Sequence, residues 1–142
     1  MHTPARQKEW CKQLDNVINH WRNQPFIWGK YDCIHFAYDA VCAVSAKNWS
    51  QLDLPAYKNA MQAYNVMKRW GFDDLCRLVD ALLGCHHSHH HARRGDLIAV
   101  SQKKLSLFSF ALGVCLGDVC AAPGKNGLVF FPTSTSQFCW RI

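Results

Sequence analysis

Two kinds of hydrophobic spacing divide this sequence, and they do not alternate: helical periods end at Gly84, and strand-like runs begin only after Arg94. A succession of strand–helix–strand units needs the two spacings interleaved, so the order favours α+β over that class. The order predicts an α+β fold with N-terminal helices packed on a C-terminal antiparallel sheet. Trp10, Leu14, Val17, Ile18 and Trp21 mark one face of a first helix over Gln7–Arg22. Pro25 and Gly29 break the period, so 23–31 is read as a loop. Asp32 then caps a second helix, with Cys33 in its first turn and Phe36, Ala37, Ala40, Val41 and Val44 on its inner face. Residues 48–56 connect to a third helix that carries Tyr57, Ala60, Met61, Tyr64 and Met67 and ends near Gly71. Asp73 is expected to cap a fourth, which turns Leu75, Cys76, Leu78, Val79, Leu82 and Leu83 inward before Gly84 stops it.

The segment CHHSHHHARR, Cys85–Arg94, has no apolar period and reads as an exposed loop. Strands are expected over 96–100, 109–116, 119–121 and 128–131, with 138–142 closing an edge. A Pro-Gly-Lys-Asn-Gly turn separates the third strand from the fourth. Neither a repeat nor a flexible linker interrupts the 142 residues, which sets the expectation of a single domain over 1–142.

Composition excludes disorder, because 49% of the residues are apolar and only 18% charged. A net charge of +6 favours acidic partners without saying which. The basic residues come as short pairs, Arg93-Arg94 and Lys103-Lys104, too little for a nucleic-acid stripe, so no nucleic acid is expected as partner. The longest apolar stretch, Leu105–Leu116, is broken by Ser106, Ser109 and Gly113 and falls short of the roughly 18 to 20 residues that cross a bilayer, so no membrane insertion is expected. The opening MHTPARQKEW lacks a signal segment, and the eight cysteines are read as reduced thiols of a protein made in the cytoplasm. Cys11, Cys33, Cys42, Cys76 and Cys85 fall in or beside helical patterns, where small buried thiols are ordinary. No CxxC or HExxH pattern points to a metal, and no cofactor is expected.

The stretch Trp28-Gly29-Lys30-Tyr31-Asp32-Cys33-Ile34-His35-Phe36 carries the chemistry. It places a thiol after a glycine-containing approach and at the positive end of a helix, where thiolate is favoured and a nucleophile is cheaply prepared. Trp28, Tyr31 and Asp32 beside it are candidates to line a groove.

On these residues the chain resembles the NlpC-type superfamily of cell-wall peptidases, papain-like cysteine hydrolases, and most closely their small phage-encoded relatives. The nucleophile motif looks like WGKYDCIHF, and a Gly-Asp that opens the first core strand looks like RRGDLIAV, 93–100. ALGVCLGD at 111–118, NGLVFFP at 126–132 and the terminal FCWRI extend the likeness over most of the chain. The resemblance implies cleavage of peptidoglycan amide bonds by a Cys–His pair oriented by a third polar group. At the position that supplies the histidine this chain has Ala111, and at that of the orienting group Cys120. A thiol without an imidazole loses the proton that an amine leaving group must receive.

The expectation is therefore a phage or prophage tail-associated, virion-borne NlpC-like domain whose degenerate hydrolase site serves a structural or binding role, with tail proteins or peptidoglycan peptide as partners. The alternative is an active thiol hydrolase that cleaves cell-wall peptides through Cys33 with an unconventional base. His35 is one candidate, although residues two apart on a helix point roughly opposite ways. His89, His90 and His91 are the others, if their loop folds back over the site.

Overall fold

A computed structural model describes residues 5–49, 52–102 and 106–142. Four helices, α1 (Trp10–Trp21), α2 (Cys33–Val44), α3 (Ala60–Arg69) and α4 (Leu75–Leu83), precede the main strands. The strands are β1 (His87–Ser88), β2 (Leu97–Ser101), β3 (Phe110–Cys115), β4 (Val119–Gly124), β5 (Gly127–Pro132) and β6 (Phe138–Trp140). They form one open antiparallel sheet in the order β1-β6-β2-β3-β4-β5. The expected α+β class and its helix-then-sheet order are what the molecule has. Among the described residues no helix is long and apolar enough to cross a membrane. The Lys103-Lys104 pair, Ser50-Gln51 of the second connection and the opening Met1–Pro4 lie outside the described residues.

Alternation along the strands decides what faces what. Leu97, Ala99, Leu112, Val114, Ala121 and Trp140 join the helices' Leu14, Ile18, Trp21, Phe36 and Val44 in the main core. The intervening Ile98, Cys115, Cys120 and Cys139 form a second cluster with Ala92 and Phe131 on the opposite face. Asp96, buried ahead of β2, steadies the strand start by accepting from the Arg93 amide at 2.9 Å and from Arg6 at 2.8 Å.

Several local expectations shift. The first helix begins at Trp10 rather than Gln7, because the Gln7 amide and side-chain amide are both spent on carbonyls near the end of α2. The cap of α4 is Asp74, not Asp73: Asp74 is extended, stands directly before Leu75 and accepts from the Arg77 amide at 2.9 Å. Asp73 instead pairs with Lys68. Tyr57 and Met61 do not share the buried face of a third helix. Asn59 caps α3 and leaves Tyr57 outside it, while Met61 points to solvent. Residues 138–142 do not close an edge, since β6 inserts between β1 and β2 and buries Cys139 and Trp140 on its two sides. The edge falls to β1, inside the segment read as a loop; there His87 and Ser88 pair with β6 and His89–His91 form a 3-10 turn. All eight cysteines are free thiols, but Cys11 and Cys85 are exposed rather than buried.

Candidate active site

The approach to α2 is a tight turn in which the Ile27 and Tyr31 amides each donate to the other residue's carbonyl, at 3.1 and 2.8 Å. Gly29 makes it possible: its φ is +84°, and a Cβ there would sit 1.9 Å from the Tyr57 carbonyl oxygen. Asp32 follows, fully buried, and its carboxylate collects four donors. They are the Gly29 amide at 2.9 Å, the His35 amide at 2.9 Å, His35 Nδ1–H at 2.8 Å and the Tyr57 hydroxyl at 2.7 Å. Burial alone would raise this carboxyl, yet the hydrogen bonds from His35, Tyr57 and Gly29 outweigh it and hold the group below its ordinary value. Asp32 is thus a charged N-cap that ties the loop, the helix and the segment before α3 into one network.

Cys33 sits one residue on, 8% exposed. Burial pushes its thiol up to about 12. The Leu112 amide pulls the other way, and the neighbouring Asp32 charge adds to the rise. The activation expected from the helix end is therefore overruled by desolvation and by the cap itself: at neutral pH the group is a thiol. Beside it opens a cavity of about 270 Å³, walled by Phe26, Trp28, Ile34, Phe108, Ala111 and Pro123, with Gln102 and Ser106 as its polar groups. Trp28 lies stacked on Phe108, ring centres 5.8 Å apart, so it does line the groove. Tyr31 packs edge-to-face with Trp21, and neither it nor the fully buried Asp32 lines the cavity.

A family model described as a domain of unknown function, DUF6950, matches residues 5–142. The chain belongs to the DUF6950 family. No curated protein and no solved structure matches it. The family match spans every element of this fold, so the Cys33 cavity lies within the DUF6950 domain.

None of the candidate bases lines the Cys33 cavity of this DUF6950 domain. His35 Nδ1 is held by Asp32 and the ring lies against Tyr57. The turn of His89, His90 and His91 packs on β1, β6 and the 3-10 turn Thr133–Thr135, and none of these rings lines the Cys33 cavity. Ala111 does stand in the cavity wall, but Cys120 points to the far face among Ile98, Cys115 and Cys139. There it opposes Cys115 across the β3–β4 ladder, where the Cys120 S–H, the Gly117 amide and the Thr133 hydroxyl lower the Cys115 thiol. Among the described residues no group of three His, Cys, Asp or Glu side chains is disposed to hold a metal.

Sequence reasoning missed two features. Tyr57, read as a helix residue, is the buried donor that completes the Asp32 network; its hydroxyl carries no local signal of a partner 25 residues away. Asp80 accepts from His86 Nδ1 at 3.0 Å and from the Trp140 indole at 2.9 Å, joining the end of α4 to β6. The Asp80–Gly84–His86 spacing around a helix stop was the available hint for the first half of that cluster.

Proposed function

We propose that this chain is an NlpC-like domain of a phage or prophage tail in which the hydrolase site is degenerate and the former cleft serves a structural or binding role. One observation carries the loss of catalysis: the Cys33 thiol, pushed up to about 12, faces a cavity wall that offers Ala111 and no imidazole. Amide hydrolysis needs a thiolate to attack and an acid to protonate the amine, and neither is supplied there. The NlpC-like and tail assignments are supported by the resemblance of WGKYDCIHF, RRGDLIAV and ALGVCLGD. The helix-borne cysteine packed against the wall of an antiparallel sheet is consistent with that reading.

The test is a turnover assay of the purified chain and its Cys33→Ala variant on peptidoglycan muropeptides, together with mass spectrometry of purified phage tails. The expected result is no turnover by either protein and the chain retained in the tails. Turnover abolished by Cys33→Ala replaces the proposal with a thiol hydrolase of cell-wall peptides, and absence from intact tails removes the assembly role.

A further inference from the structure

A second cavity, of about 230 Å³, lies between α2, α3 and α4 and is separated from the Cys33 cavity by Ile34 and Leu75. Its walls are apolar, with Val41, Val66, Met67, Leu78 and Leu82 among them. The two hydroxyls in the lining are engaged elsewhere: Tyr38 donates to the Trp49 carbonyl and Tyr57 to Asp32. Among the described lining residues no charged side chain faces the space. Trp70 and Leu82 stand half-exposed at its mouth, 49% and 41% accessible. Two large apolar side chains thus stand exposed at the rim of an apolar cavity, a form that small-molecule sites take.

At one end Val41, Trp49, Leu82 and Leu83 are shared with a pocket of about 320 Å³ that has the opposite character. It holds Lys47 and Arg141, and no acidic side chain lines it. Arg141 Nε is buried without a hydrogen-bond partner, an arrangement native proteins rarely leave unexplained. The Lys47 ammonium lies 4.4 Å over the Trp49 ring, poised above the wall common to both spaces. Asp96, which accepts from the Ile142 amide at 3.3 Å, is already paired with Arg6, which also binds the Ile142 carbonyl at 2.8 Å. Two cations, one with an unused buried donor, therefore adjoin an apolar space.

We propose that the two spaces together bind an anionic amphiphile, its alkyl chain in the apolar cavity and its carboxylate or phosphate headgroup against Lys47 and Arg141. An apolar cavity of about 150 Å³ holds the six carbons of benzene, so this one takes roughly nine. The inference uses neither Cys33 nor the NlpC-like reading, and it stands or falls separately from them.

The experiment is calorimetric titration of the full chain with decanoate, which carries nine carbons beyond its carboxylate, and with 1-decanol as the uncharged match. Saturable one-to-one binding of decanoate at least tenfold tighter than decanol is expected. Lys47→Gln with Arg141→Gln should remove that tenfold and leave decanol unchanged, while Val66→Trp, by filling the cavity, should abolish both. If Val66→Trp does not fold, methyl NMR of the unmodified chain decides: decanoate must shift the buried Met67 methyl and leave the exposed Met61 methyl in place. Equal affinity for decanoate and decanol, absence of saturation, or shifts at Met61 alone overturns the proposal. Phosphatidylglycerol vesicles distinguish the source. Binding displaced by decanoate assigns a membrane lipid, decanoate binding without vesicle binding assigns a free amphiphile, and vesicle binding that decanoate cannot displace overturns the site.

Discussion

Replacing Asp32 by alanine should destabilise this chain more than any other single change near Cys33. The carboxylate accepts from two amides, one imidazole and one phenol while fully buried. Loss of an N-cap costs about 1 kcal/mol. Leaving the buried Tyr57 hydroxyl without an acceptor costs about 1 to 3 kcal/mol, and the Gly29 amide adds roughly another 1. The sum, about 3 to 5 kcal/mol, is a large share of the margin of a domain this size. Urea denaturation followed by tryptophan fluorescence measures it, with an unchanged m-value showing that both end states are the same. Tyr57→Phe should cost about 1 kcal/mol alone and much less on the Asp32→Ala background, because the shared bond is already gone. Since the folded Asp32 lies below its ordinary value of 3.8, its contribution is complete above that pH and is lost as pH falls through the folded value. The gap between wild type and Asp32→Asn should therefore narrow below pH 3.8. A cost of Asp32→Ala under about 1 kcal/mol, or strict additivity with Tyr57→Phe, refutes the network.

Thiol alkylation resolved by peptide mass spectrometry should label Cys11 and Cys85 quickly at neutral pH and Cys33 slowly, with the Cys33 rate still climbing at pH 10; rapid labelling of Cys33 at pH 7 would contradict its burial and raised value. Gly29→Ala should lower stability by about 3 kcal/mol through backbone strain and collision with the Tyr57 carbonyl, whereas Gly71→Ala, also at positive φ but in open space, should cost about 1 kcal/mol. Equal losses in urea titrations of the two would dismiss the collision. Trp140→Phe removes the indole donor to Asp80 and should cost about 1 to 2 kcal/mol, read in the same titration, and a neutral effect would show that Asp80 and His86 hold the α4–β6 junction without it.

The candidate site was half legible in the sequence. A glycine, an acidic cap and a cysteine in nine residues place the thiol at the start of α2, because each of those choices acts within a few bonds of itself. The state of that thiol was not legible. The helix end argues for thiolate, and so does the Leu112 amide, almost eighty positions away; what overrules both is burial, which only packing against distant segments creates, with the adjacent Asp32 charge adding to it. The same limit applied to the histidines: their number drew attention to Cys85–Arg94, but Ser88 and His87 spend that segment on pairing with β6, which carries it away from Cys33.

By itself the sequence determined the class of fold, the existence of four helices and the caps of α2 and the stop of α4, because periodicity, capping and glycine's freedom are properties of neighbours along the chain. Tertiary structure alone decided that the last strand enters the sheet between β1 and β2, that Tyr57 anchors Asp32, that Cys120 faces away from Cys33, and that Arg141 and Lys47 line one pocket beside an apolar cavity. Each of those depends on which distant surfaces exclude water together, and burial shared between residues far apart leaves no mark on the local spacing of either.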